Sequence, residues 1–130
     1  MRGKQVSVFI ENQPGRMLAM LEALRKENIN IRALSIAETA DFGIARMIFS
    51  DMDRGVEALR KAGFTARTTD VIIAEVPDVP GGLLRGVAKP LADAGINIEY
   101  MYAFIDPAPG KAVVVVKVSD LDRAEKALQL

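Results

Sequence analysis

An α+β protein in which one βαββαβ unit is written twice is what the chain predicts, and three observations carry the prediction. The sequence aligns with itself in order: Pro14-Gly15 falls on Pro80-Gly81, INI at 29–31 on INI at 96–98, and SDMDRGVEAL at 50–59 on SDLDRAEKAL at 119–128. An internal repeat of this kind decides the architecture before any single element does. Within each copy, β-branched runs alternate with stretches whose apolar residues recur at helical spacing, in the order strand, helix, strand, strand, helix. That order, in a unit of about 65 residues, is the split βαβ or ferredoxin-like plan, two helices on one face of an antiparallel sheet. The expected division is residues 1–70 and residues 71–130.

In the first copy QVSVFI (5–10) ends at the turn-forming ENQPG, which predicts a strand with Val6, Val8 and Ile10 on one face and Phe9 on the other. Met17, Leu18, Leu21 and Leu24 recur at helical spacing while Arg16, Glu22, Arg25 and Lys26 take the other side. A helix with one buried stripe follows, stopping near Asn28. Strands come next at NIRALSIAE and GIARMIFS, joined by TADFG, whose Asp and Gly suit a hairpin. Ser50 or Asp51 caps a second helix that buries Val56, Leu59 and Ala62, and Gly63 ends it in the left-handed conformation. A short strand over about Ala66 to Asp70 completes the unit.

The second copy departs from the first in three places. Its hairpin, DPAPG at 106–110, is longer. Its first helix holds one more residue and contains Pro90, which lacks a backbone donor and crowds the carbonyl of Gly86, so a kink or one-residue bulge is expected there. No strand follows its last helix, so the final strand of the second unit is absent or truncated, or supplied by a partner. VIIAEV and AVVVVKV are apolar at nearly every position, the pattern of strands covered on both faces. With the exposed edges of two thin sheets, this predicts that the units dock on each other and that the chain forms a homodimer.

Of the 130 residues half are apolar, and 17 basic side chains balance 17 acidic ones. A neutral chain without a run of Lys or Arg lacks the field that a nucleic acid or an anionic membrane surface requires, so neither is expected as a partner. The longest apolar run, AVVVV at 112–116, is short and the first residues lack the core of a secretion signal, which predicts a cytoplasmic protein. There is no His, Cys or Trp. Disulfides, zinc sites of the usual kind, Cys or Ser-His nucleophiles and imidazole proton shuttles are thereby excluded. No catalytic residue, metal site or cofactor is predicted.

The repeated turn is the candidate site. A helix entered through Pro-Gly exposes backbone N–H groups with no partner inside the helix, and its dipole adds partial positive charge, a setting that suits a carboxylate. The donors are those of Gly15, Arg16 and Met17 in the first copy and Gly81, Gly82 and Leu83 in the second. Asn12, Gln13 and Asn30 offer amide oxygens that accept from an ammonium group, and Asp78 and Asn97 stand in the matching places. Such a set fits a small zwitterion. The same residues also have a purely local explanation, since Pro and Gly start helices well and Asn is a common turn residue. SDMDR and SDLDR lack the remaining ligands of a calcium loop and read as helix caps. Arg46 stands mid-strand, and Tyr100 and Tyr102 alternate with Met101 so that both rings share a face, as core or as a ligand wall.

The motif ENQPGRMLAMLEALRKENINI inside a βαββαβ pattern resembles an ACT domain, the small-molecule regulatory module of amino-acid metabolism, and the second half resembles another. SIAETADFGIARMIFSD and GINIEYMYAF make the chain similar to stand-alone tandem ACT proteins, which carry no catalytic domain. The resemblance implies an amino acid bound where two domains meet, with the Pro-Gly loop of one facing its neighbour. In serine-binding members, positions matching Asn12 and Asn30 contact the ligand; Ile10 stands where those members have a histidine, so the preference for serine does not carry over. In the second copy Val76 stands at that place, Asp78 replaces the first asparagine, and the extra helical residue shifts Asn97. The function expected is a non-catalytic effector-binding protein acting on a partner enzyme. Its rivals are a structural dimerisation subunit without a ligand and a small enzyme on the same scaffold.

Overall fold

Residues 1–38 and 41–130 are described by a computed structural model. Among them run β1 (Arg2–Glu11), α1 (Arg16–Lys26), β2 (Ile31–Glu38), β3 (Phe42–Phe49), α2 (Met52–Lys61), β4 (Thr65–Pro77), α3 (Lys89–Asp93), β5 (Ile98–Ala103), β6 (Lys111–Val118) and α4 (Leu121–Leu128), with a π-helical turn at Leu84–Ala88 leading into α3. This is the α+β class the repeat predicts. Contacts gather the chain into two compact units, Lys4–Thr69 in one and Met1–Gly3 with Asp70–Leu130 in the other. None of the helices among the described residues is long and apolar enough to cross a membrane.

In the unit of residues 4–69 the strand order is β2-β3-β1-β4, with β3 antiparallel to both β1 and β2. Alternation along β1 turns Val6, Val8 and Ile10 inward, where they meet Met20 and Leu24 of α1 and Val56 and Leu59 of α2. Phe9 points the other way and is 45% exposed, and Phe42 on the same face is 53% exposed, whereas Val71 and Ile72 of β4 and Val115 and Val116 of β6, which alternate in facing, are each 0% exposed. The stripe of α1 differs from expectation at Leu18, which is 60% exposed; Leu24 is buried and Met17 and Leu21 pack against the core as expected, with Met20, one turn before Leu24, buried beside them. Two residues before Met20 correspond to about 200° of rotation, which carries Leu18 to the far side. Ala62 is the exposed C-cap of α2, Ala58 is buried instead, and Gly63 adopts φ 90° as predicted. Thr39 and Ala40 of the expected TADFG hairpin lie outside the described residues.

The repeated SD-x-DR motif does the same three jobs in both units. Ser50 Oγ accepts the Asn30 N–H at 3.0 Å, and Ser119 Oγ accepts that of Asn97 at 3.2 Å. Asp51 caps α2 through the Arg54 N–H at 3.2 Å, and Asp120 caps α4 through the Arg123 N–H at 3.1 Å. The Arg54 guanidinium then donates to the Glu27 carbonyl at 2.6 Å, and that of Arg123 to the Ala94 carbonyl, satisfying acceptors left open where the preceding helix ends. Among the described residues no group of three or more carboxylates is placed to hold a metal.

In the other unit β4, β6 and β5 lie side by side, antiparallel, with Ala74 opposite Val114 and Met101 opposite Val116. Ile72, Ala74, Val76, Val114 and Val116 pack against Val87, Leu91 and Ala124. The expected break between two strands near Asp70 is absent, because RTTDV contains no Gly or Pro to interrupt β4. The bulge expected before Pro90 is the π-helical turn, in which the Lys89 N–H donates to the Leu84 carbonyl five residues back. Among the described residues no strand follows α4. Beside β4, the Ile73 N–H donates to the Met1 carbonyl at 2.7 Å, and the Met1 ammonium donates to the Ile73 carbonyl at 2.8 Å. Arg2 reaches Asp122 at 2.6 Å and also Glu125 on α4. Gly3 permits the approach, since a Cβ there would stand 2.6 Å from Ile73 Cδ1.

Candidate functional site

The turn entering α1 is a type II β-turn. Pro14 occupies its second position, Gly15 its third with φ 89° and ψ −13°, and the Arg16 N–H closes it on the Gln13 carbonyl at 3.3 Å. Val79, Pro80, Gly81 (φ 81°) and Gly82 repeat it, closed by the Gly82 N–H on the Val79 carbonyl at 2.9 Å. Proline pre-sets the first dihedral and glycine tolerates the positive one, so the backbone alone accounts for both residue types. It also corrects the expectation of three open donors in each loop, since Arg16 and Gly82 spend theirs on the turn. The Gly15 and Met17 N–H groups have no partner among the described residues, and no side chain caps α1.

Next to this turn lies a cavity of about 340 Å³. Ile10, Met17, Ile36 and Gly43 line its apolar part, and Glu11, Asn12, Gln13 and Glu38 its polar part. Asn12 is held twice, by its N–H on the Asp41 carbonyl at 3.0 Å and by its side-chain Nδ2 donating to Glu38 Oε2 at 3.2 Å. The second bond orients the amide so that Oδ1 is the atom left to accept from a ligand. A volume of this size, lined by both apolar and polar residues, suits a ligand of a few heavy atoms. The Arg16 side chain turns elsewhere: its guanidinium carbon lies 5.1 Å from the Phe64 ring centroid, and its Nε is buried without a hydrogen-bond partner.

Of the residues singled out in the first copy, Asn12, Gln13 and Met17 meet in this cavity with Gly15 at its edge in sequence, and Asn30 does not. Asn30 lines a separate cleft of about 290 Å³ with Leu21, Arg25 and Asn28. The reason is topological. β1 and β2 are both antiparallel to β3 and therefore run the same way, so the end of β1 and the start of β2 lie at opposite ends of α1.

In the second copy the loop has the same backbone and different surroundings. A Cβ on Gly15 would meet nothing within 4 Å, whereas one on Gly81 would meet the Arg85 guanidinium at 2.6 Å and one on Gly82 the Pro77 carbonyl at 2.2 Å. Arg85 Nη2 also lies 3.4 Å from the Pro80 carbonyl. Asp78 is exposed and its N–H is taken by the Gly110 carbonyl at 3.0 Å; Leu83 is 40% exposed; Asn97 is tied through its backbone to Ser119. The second turn is thus overlaid by Arg85 where the first is open.

Glu38, Ile36 and Glu11 line this cavity and are not singled out by the sequence. Glu38 reaches Asn12 across 26 positions of sequence because the β2–β3 pairing sets it opposite Gly43, itself opposite Ile10. Polar residues at a hairpin end carry no signal of that kind.

A family model described as an ACT domain pair matches residues 1–130. The chain is similar to protein BT0572 from Bacteroides thetaiotaomicron, at 43% identity and a TM-score of 0.91, over 99% of this chain and 88% of that one. It is similar in fold, at 18% identity, to the ligand-free regulatory subunit of aspartate kinase from Thermus thermophilus, with a TM-score of 0.66 over 99% of this chain and 91% of that one. The corresponding subunit from Thermus flavus, also at 18% identity, has a TM-score of 0.64 over 99% and 92%. No curated protein matches the sequence.

Proposed function

The chain belongs to the ACT domain pair family, and from that premise we propose that it is a non-catalytic regulatory protein that binds a small amino acid beside Gly15 and passes the bound state to a partner enzyme of amino-acid metabolism. The observation that carries this reading is the cavity of about 340 Å³ at the first turn, where the two ends of a zwitterion find different partners. The Gly15 and Met17 N–H groups and the α1 dipole suit a carboxylate. Asn12 Oδ1 and the Glu38 carboxylate suit an ammonium group. Ile10, Met17 and Ile36 receive the side chain.

Domains at residues 1–70 and 71–130, a homodimer and a cytoplasmic location complete the proposal. Phe9 and Phe42 supply exposed apolar surface for self-association, and Asn30 belongs to an effector site only if a neighbouring copy brings it to the turn. A ligand held by two domains makes contacts in one arrangement that another lacks, and this difference in affinity is what turns binding into a signal. The neighbours described as regulatory subunits of aspartate kinase support a role beside an enzyme.

A structural subunit without a ligand is the second reading, favoured by the closed type II turn, which explains Pro14 and Gly15 on its own. A thermal-shift screen against the twenty amino acids at millimolar concentration separates the two. An effector present at about 100 times its dissociation constant stabilises the fold by roughly 2.7 kcal/mol. At least one amino acid is expected to raise the melting temperature, and a panel that leaves it unchanged favours the structural subunit.

A further inference from the structure

We propose that Glu38 sets the charge preference of the cavity beside Gly15, taking up the ligand's ammonium group and barring amino acids with acidic side chains. This rests on reading that cavity as the effector site. Glu38 lines it on the face of the sheet that carries Ile10, and among the described residues no Lys or Arg lines it. The charge of Glu38 is not cancelled from within: its neighbour is the neutral amide of Asn12, and it takes part in no ion pair among those found in the described residues. The Asn12 bond holds Oε2 at 3.2 Å, which fixes the carboxylate while leaving Oε1 for a second donor.

The balance of charge then decides what enters. The turn offers one or two neutral N–H donors for a single carboxylate, and the charged side chain on the cavity's face of the sheet is the carboxylate of Glu38. A neutral or basic amino acid satisfies both ends. A second carboxylate on the ligand has no cation to meet and stands near the carboxylate of Glu38, a repulsion that a partly enclosed cavity screens less than open water does. Selection of this kind works by penalising the wrong ligand, so it leaves the apolar wall free to choose among side chains of the remaining class.

The test is isothermal titration of the full chain with each of the twenty amino acids, on the wild type and on Glu38→Gln. The variant keeps the shape and the Asn12 contact and removes the charge; as an exposed side chain Glu38 is replaced without change in the melting temperature of the free protein. Among the amino acids that bind the wild type, aspartate and glutamate are expected to be missing or at least tenfold weaker than the best, and Glu38→Gln is expected to weaken the best by tenfold or more. If aspartate or glutamate binds as tightly as the best, or if Glu38→Gln leaves the best within twofold, charge selection by Glu38 falls while the effector site stands. If none of the twenty binds, the effector reading falls and this inference with it.

Discussion

At Gly15 an added methyl group would point into open space, and at Gly81, in a turn of the same type, it would strike a guanidinium at 2.6 Å. The two loops share their Pro-Gly pair, their closing hydrogen bond and the tie of the first loop residue to the following hairpin, the Asp41 carbonyl in one copy and that of Gly110 in the other. They differ in what their neighbours place over them. Ala19 follows Gly15 at the spacing that puts Arg85 after Gly81, and each N–H returns to its glycine's carbonyl at 3.0 Å. A small side chain there leaves the first turn uncovered, and a long cationic one folds back over the second. Repetition of the sequence thus duplicates the turn but not the open space over it.

The largest effect that bears on this contrast is on ligand response. If the first turn is the effector site, Asn12→Ala removes Oδ1 together with the support of Glu38. It is expected to abolish an amino-acid-induced stabilisation of roughly 2.7 kcal/mol at about 100 times the dissociation constant. Asp78→Ala at the matching place of the second turn leaves it intact. Differential scanning fluorimetry of both variants with the best ligand reads this directly, and equal losses from both would mean that the copies are functionally alike.

A smaller effect concerns the cores. Gly55 on α2 lies under the Phe49 ring, whose Cδ2 would stand 2.2 Å from an added Cβ, while the aligned pair in the second half is Val118 with Ala124. Each half fills the same space by a different division between strand and helix. Gly55→Ala is expected to cost about 1–2 kcal/mol in urea denaturation, the overpacking being partly offset by the better helix propensity of alanine. Combining it with Phe49→Val, which installs the second half's solution in the first, is expected to give a double variant more stable than the sum of the two single losses allows.

The smallest effect belongs to the amino end. Burial lowers the pKa of the Met1 ammonium from 8.0. With no His or Cys in the chain, it is the one group that ordinarily titrates between about pH 6 and 9. The folded state releases this proton at lower pH than the unfolded chain, so stability rises as pH climbs towards 8.0 and levels off above it. Urea midpoints taken from pH 6.5 to 9 are expected to show a shallow rise and then a plateau; a fall over that range would contradict the burial.

Most of the fold was legible because repeat and periodicity are local. The strand faces of Val6, Val8 and Ile10, the left-handed Gly63 and the disturbance before Pro90 follow from spacing and backbone chemistry. The helix stripe was read less well, as Leu18 has helical spacing to Leu21 and yet faces solvent, because the core is centred on Met20. The site was only half legible. Asn12 and Met17 adjoin the turn in sequence, but Glu38 arrives by strand register, and Asn30 is carried to the far end of α1 by the parallel course of β1 and β2. The place of Met1 beside Ile73 is a contact across 72 positions that no local pattern announces.

The wide turn at Leu84–Ala88 shows how a duplicated reading frame can tolerate a one-codon difference in length. In a regular helix an additional residue rotates everything after it by about 100°. Here the phase is restored within a single loosened coil, so Leu91 occupies the interior as fully as Leu24 does, 0% exposed against 1%. Drift in length between the copies was thereby absorbed where it arose, and the downstream helix kept its bearing.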